Sequence, residues 1–273
     1  MSYSTIMVLV DPDHPDEARL QIAADLAERF DSRLIGVAAG DIQPMYFAEG
    51  ATAEEFLEKD RAALRGKIAD AEQTFRRLFK GSTRPIEWRG KLALPADHAA
   101  QEARAADLII AGSHRGRIDP LRQVDPGELV LRAGRPVLVV PPQTTQMSLK
   151  TMVVAWKDTR EARRAIGDAL PLLHKAETVV VVEIVEDRSD RDAAKARIED
   201  VAAWLVRRGI ATASIATKQL IGVPAQLDII AQDEGADIIV AGAYGHTRFT
   251  EWVFGGVTRD LLKAGKRCAL LSH

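Results

Sequence analysis

At 273 residues the chain has room for two domains, each with its own core. Its 47% apolar and 28% charged residues, with a formal net charge of −2, fit an ordinary globular mix and exclude a nucleic-acid surface built on excess positive charge. No apolar run reaches membrane-spanning length, no basic segment leads into an apolar stretch near Met1, and the single cysteine, Cys268, has no internal partner. The expectation is a cytoplasmic protein with no nucleic-acid and no membrane partner.

The predicted elements alternate along the chain. Apolar periodicity predicts a strand over 5–10, a helix over 16–30 and a strand over 33–38. An excursion carrying Met45, Tyr46 and Phe47 follows, read as a lid or an interface. It leads to a charged helix over 53–79, with Phe56, Leu64, Ile68, Phe75 and Leu78 for packing. Then come a strand over 84–89, a helix over 95–105, a strand over 107–111, a helix over 126–133 and a strand over 136–140. "PPQTTQMSLK" at 141–150 is polar and aperiodic and reads as the linker, giving domains over 1–143 and 150–273.

The second half repeats the first. Strands are predicted over 151–156, 177–184, 211–218, 237–241 and 267–271, and helices over 159–173, 190–208, 223–234 and 256–264. "AADLIIAGS" (105–113) matches "GADIIVAGA" (235–243), and "LRAGRPVLVV" (131–140) matches "LKAGKRCALL" (262–271). Alternating strands and helices imply a parallel sheet covered on both faces.

The halves differ in their glycines. The second carries Gly242, Gly245, Gly255 and Gly256, the last two at the start of a predicted helix with no capping side chain. A helix start presents unpaired N–H groups and favours phosphate. The first half has Arg115, Asp125 and Pro126 at the matching places. "DPGE" at 125–128 reads as a self-sufficient helix start, with Asp125 capping, Pro126 first in the helix and Glu128 reaching back. The second half therefore keeps an anion site that the first fills for itself.

Other candidates are sparser. Trp156, at a strand end, either stacks on a base or plugs the pocket, and Asp11 either caps the first helix or faces a ligand. There is no phosphate-binding Gly-Lys-Ser/Thr loop, and Ser113 lacks the glycines of a nucleophile elbow. His114 and His246 sit in loops, and the histidines form no metal-binding pattern. Cys268, in a buried strand, reads as inert. No catalytic residue and no metal ligand of the protein's own is assigned.

The spacing Gly242-x2-Gly245-x9-Gly255, followed by Gly256, Val257 and Thr258, resembles the signature of the universal stress protein family, and the strand–helix order of both halves is similar to that family. The resemblance covers nearly the whole chain as a tandem pair. It implies two Rossmann-like α/β domains of the adenine nucleotide alpha hydrolase type, each a five-stranded parallel sheet with helices on both faces. It also implies that the last strand of each half pairs across the domains as a pseudo-dimer, with a homodimer of the chain as a further assembly. Its ligand would be ATP or another adenine nucleotide with accompanying magnesium. Gly242 would face the ribose and Gly245 the phosphates, and the backbone of Gly255, Gly256, Val257 and Thr258 would hold the phosphate chain. Trp156 stands where nucleotide-binding members carry an aspartate, and Gly256 where they carry Ser or Thr. The implied role is ligand sensing in a stress response, with at most slow ATP hydrolysis; the alternative is a scaffold or small-molecule or lipid carrier with degenerate nucleotide sites.

Overall fold

A computed structural model describes residues 2–42, 51–113, 116–142, 144–245 and 266–273. The first half runs β1 (Thr5–Leu9), α1 (Glu17–Phe30), β2 (Arg33–Gly40), α2 (Ala51–Leu78), β3 (Ile86–Leu92), α3 (Pro95–Glu102), β4 (Leu108–Gly112), α4 (Pro126–Arg132) and β5 (Val137–Val140). The second runs β6 (Thr151–Ala155), α5 (Arg160–Leu173), β7 (Thr178–Val185), α6 (Arg191–Val206), β8 (Thr212–Lys218), α7 (Val223–Asp233), β9 (Ile238–Gly242) and β10 (Cys268–Ser272). The helix expected over 256–264 and the segment with Met45, Tyr46 and Phe47 lie outside the described residues.

Local chemistry sets the element ends. The Asp16 carboxylate accepts from the Arg19 amide at 3.2 Å and starts α1. Asp31, in the left-handed region at φ 60°, ends it, and the next amide, that of Ser32, returns to the Ala27 carbonyl. The Thr159 hydroxyl starts α5 by accepting from Ala162 N at 3.3 Å. The β-branched run of β7 is buried at Val179, Val180, Val181 and Val182, as a strand packed on both faces requires.

The two halves share one ten-stranded sheet, in the order β3-β2-β1-β4-β5-β10-β9-β6-β7-β8. Within each half all neighbours are parallel, and the second half repeats the first in mirror order along the sheet. At the seam β5 and β10 pair antiparallel, with Val139 opposite Ala269, Leu138 opposite Leu270 and Val137 opposite Leu271. The expected pairing of last strands across the halves is therefore present.

Side chains alternate between two cores. Ile6, Val8, Leu138, Val240 and Leu270 point into one face. Met7, Ile109, Val139, Ile239 and Ala269 point into the other. Two expectations change. Phe56, expected to pack, is 53% exposed, whereas Leu64, Ile68 and Phe75 of α2 are buried. The linker is polar in sequence, yet its Met147 and Leu149 are buried in the core.

Candidate ligand cleft

Between β1 and β4, and again between β6 and β9, the order of strand crossovers reverses. Ligands of open parallel sheets sit at such points, beyond the carboxyl ends of the strands. In the second half this place is a cleft of about 450 Å³. Ala155 and Trp156 line it from the end of β6, Glu183 to Glu186 from the end of β7, and Gly242, Tyr244 and Gly245 from the end of β9. Thr159 and Arg197 close it from the helix side.

The two described glycines of the motif meet the start of α5. A Cβ on Gly242 would lie 2.5 Å from Ala162 N and 2.6 Å from the Glu161 carbonyl carbon. Its bare Cα is what lets α5 lie against β9. A Cβ on Gly245 would lie 2.9 Å from Glu161 Oε2 and 3.4 Å from Thr159 Oγ1. Glu161 is a buried carboxylate in the first turn of α5, paired with Arg160 at 2.9 Å. Burial opposes its ionisation, but its own amide, Arg160 and Thr159 prevail and hold the carboxyl below the usual range. A negative charge therefore abuts Gly245.

The other walls are aromatic and charged. Trp156 is 9% exposed; its amide donates to the Val182 carbonyl at 2.7 Å and its ring packs into the core. Its Nε1 has no hydrogen-bond partner among the described residues. The ring is a wall, with a second hollow of about 420 Å³ under α5 and α6 also bordered by it. Glu183, at the end of β7, is buried and pairs with Arg197 of α6 at 2.5 Å. Tyr244 holds a positive φ of 59°. Burial, then the nearby Asp125 of the first half, pushes its hydroxyl up to about 12.

Gly242, Gly245 and Trp156 thus line one cleft. Gly255, Gly256, Val257 and Thr258 lie outside the described residues. The sequence alone does not single out Glu161, Glu183, Arg197 or Tyr244. A lone acid inside the apolar run "VVVVEIV" was the available signal for Glu183. His114 and His246 are also outside the described residues.

In the first half the corresponding space shrinks to about 40 Å³, lined by Asp11, Arg19, Arg122 and Gln123 among others. Asp125 caps α4 as expected, accepting from Gly127 N at 2.8 Å, and Pro126 opens the helix. The expected return contact of Glu128 is replaced by an ion pair with Arg132, one turn on, at 2.5 Å. Asp11 does not cap α1. One of its oxygens accepts from the amides of Asp13 and His14 at 2.9 and 3.3 Å, and the other from Gln123 Nε2 at 3.1 Å. Arg19 folds over Gly112, where a Cβ would collide with its Nη1.

Remaining candidates are inert or isolated. Burial, with Asp237 nearby, pushes the Cys268 thiol up to about 12. His98 is buried with Nε2 on the Arg89 carbonyl at 3.2 Å. No group of three metal-ligating side chains occurs among the described residues. No described helix is long and apolar enough to cross a membrane.

The fold matches solved structures over almost its whole length. A universal stress protein from Archaeoglobus fulgidus DSM 4304 superposes with a TM-score of 0.70 at 12% identity, over 98% of this chain and 95% of that one. A functionally unknown protein from Pseudomonas aeruginosa PAO1 superposes with a TM-score of 0.62 at 16% identity, over 99% of this chain and 92% of that one. No curated protein matches the chain. The sequence model of the universal stress protein family matches twice, over residues 2–141 and 148–267. The chain belongs to the universal stress protein family and carries two of its domains in tandem.

Proposed function

We propose that this chain is a ligand-sensing stress-response protein of the cytoplasm whose second half binds an adenine nucleotide, while its first half does not. The observation that carries the reading is the difference between the clefts: about 450 Å³ against about 40 Å³ at equivalent places in the sheet. The larger lies in the range of small-molecule sites, about 300–1,000 Å³, and the smaller falls far below it.

The residues of the larger cleft fit a nucleotide in size, in the bare backbone at Gly245 and in the cations Lys157 and Arg197. The Glu161 carboxylate beside Gly245 bears on the phosphates. Like charges a few ångströms apart repel unless a cation lies between them. A phosphate chain here is therefore turned away from Glu161, or travels with magnesium. Native mass spectrometry of the full chain, purified without added nucleotide and then incubated with magnesium and ATP, tests the reading. One adenine nucleotide per chain is expected; none, or two, contradicts it.

One observation favours a second reading, a carrier of a neutral or cationic small molecule. Glu183, Glu186 and Asp190 line the cleft against Lys157 and Arg197, and Glu161 adds a further acid beside Gly245. The same spectra would then carry a bound mass that is not a nucleotide.

A further inference from the structure

We propose that the hollow under α5 and α6 binds an uncharged aromatic small molecule, packed against Trp156 and Trp204. The hollow measures about 420 Å³. Many small molecules fit such a space, so the lining must set the class. Trp156 lines it from the end of β6 and Trp204 from α6, with Ile166 of α5 and Val201 of α6 between the charged residues. Both indoles are held before any ligand arrives. The Trp156 amide donates to the Val182 carbonyl at 2.7 Å, and its ring packs into the core. The Arg208 guanidinium lies over the Trp204 ring, 3.6 Å from its centroid. A flat ring meeting aromatic surfaces already in place gains stacking on top of apolar contact, at little cost in side-chain freedom.

The charges around the hollow decide against an ion. Arg163 pairs with Asp158 at 2.6 Å, and Arg197 pairs with Glu183 at 2.5 Å. The other charged side chains of the lining, Asp200 and Arg207, are exposed and opposite in sign. The cations Arg163, Arg197 and Arg207 are thus matched by Asp158, Glu183 and Asp200, and no net charge is left for a ligand to balance. An ion would give up hydration here without gaining a counter-charge. Asp200 offers an acceptor and Arg207 donors, which suits a ring with a polar, uncharged substituent. The hollow shares Trp156 and Arg197 with the larger cleft, but its remaining lining is separate, and the proposal does not rest on a nucleotide in that cleft.

The test titrates the full chain with N-phenyl-1-naphthylamine, a neutral aromatic dye whose emission rises in apolar surroundings. Binding of one dye per chain is expected. Trp204→Leu should weaken it about fivefold, the worth of one aromatic stack. Val201→Phe should abolish it by filling the hollow. Neither residue lines the larger cleft, so a dye seated there, or on an exposed apolar side chain, would bind both variants as it binds wild type. The anionic relative of the dye, 1-anilinonaphthalene-8-sulfonate, should bind no more tightly than the neutral one. Circular dichroism checks that each variant folds. Trp204 is only partly buried, so its variant still decides the matter if Val201→Phe does not fold. No bound dye, equal binding in wild type and Trp204→Leu, or a preference for the sulfonate would overturn the proposal.

Discussion

Gly245 lines the larger cleft, and the Glu161 carboxylate packs against it. The Glu161 carboxylate is held ionised against Gly245. Replacing it by Gln should strengthen ATP binding roughly fivefold, about 1 kcal/mol of like-charge repulsion removed, as measured by equilibrium dialysis. The same change should alter acid stability. The carboxyl's folded pKa is depressed, so its contribution is present above the ordinary carboxylate range and lost as pH falls through the lowered value. Denaturation of Glu161→Gln should therefore lose part of the acid limb seen in wild type. Gly242 has a different job. A Cβ there would press on the backbone of α5, so Gly242→Ala should cost about 1–3 kcal/mol in a thermal melt. The spacing of these glycines was legible in the sequence. Their neighbours were not, because an acid in the first turn of a helix is commonplace and its aim depends on a strand far along the chain.

At the scale of elements, the start of α4 is completed from within the first half. Asp125 caps α4 with its own side chain, so Asp125→Ala should cost about 1 kcal/mol in chemical denaturation. Glu128→Ala should cost only a few tenths, because its exposed partner is Arg132. A larger loss from Glu128 than from Asp125 would restore the reciprocal cap that the sequence suggested. The strands were legible as β-branched apolar runs and the helices as periodic ones between caps. The return contact of Glu128 was not, because an arginine one turn away offers a nearer partner. Phe56 differs for a related reason: helical period puts it on the apolar stripe of α2, but near that end of the helix its ring stays half exposed.

At the scale of the molecule, the seam between β5 and β10 makes the two halves one sheet. Leu270 is fully buried opposite Leu138, and the linker's Met147 and Leu149 sit in the same core. Leu270→Ala should lower stability by about 2–5 kcal/mol and destabilise both halves together, seen as one shifted transition in calorimetry. Two transitions, only one of them shifted, would show that the halves fold separately. The duplication and the pairing of last strands were legible from matched segments. The unequal clefts were not, since their volumes depend on Arg19 swinging over Gly112 in one half and on Trp156 staying in the wall in the other. Calorimetric titration of the full chain with magnesium and ATP tests the central claim, that nucleotide binds in the second half alone. One site per chain is predicted, lost in Gly245→Val, whose side chain presses on Glu161, and kept in Asp125→Ala. No heat at millimolar ATP, or binding that survives Gly245→Val, would contradict it.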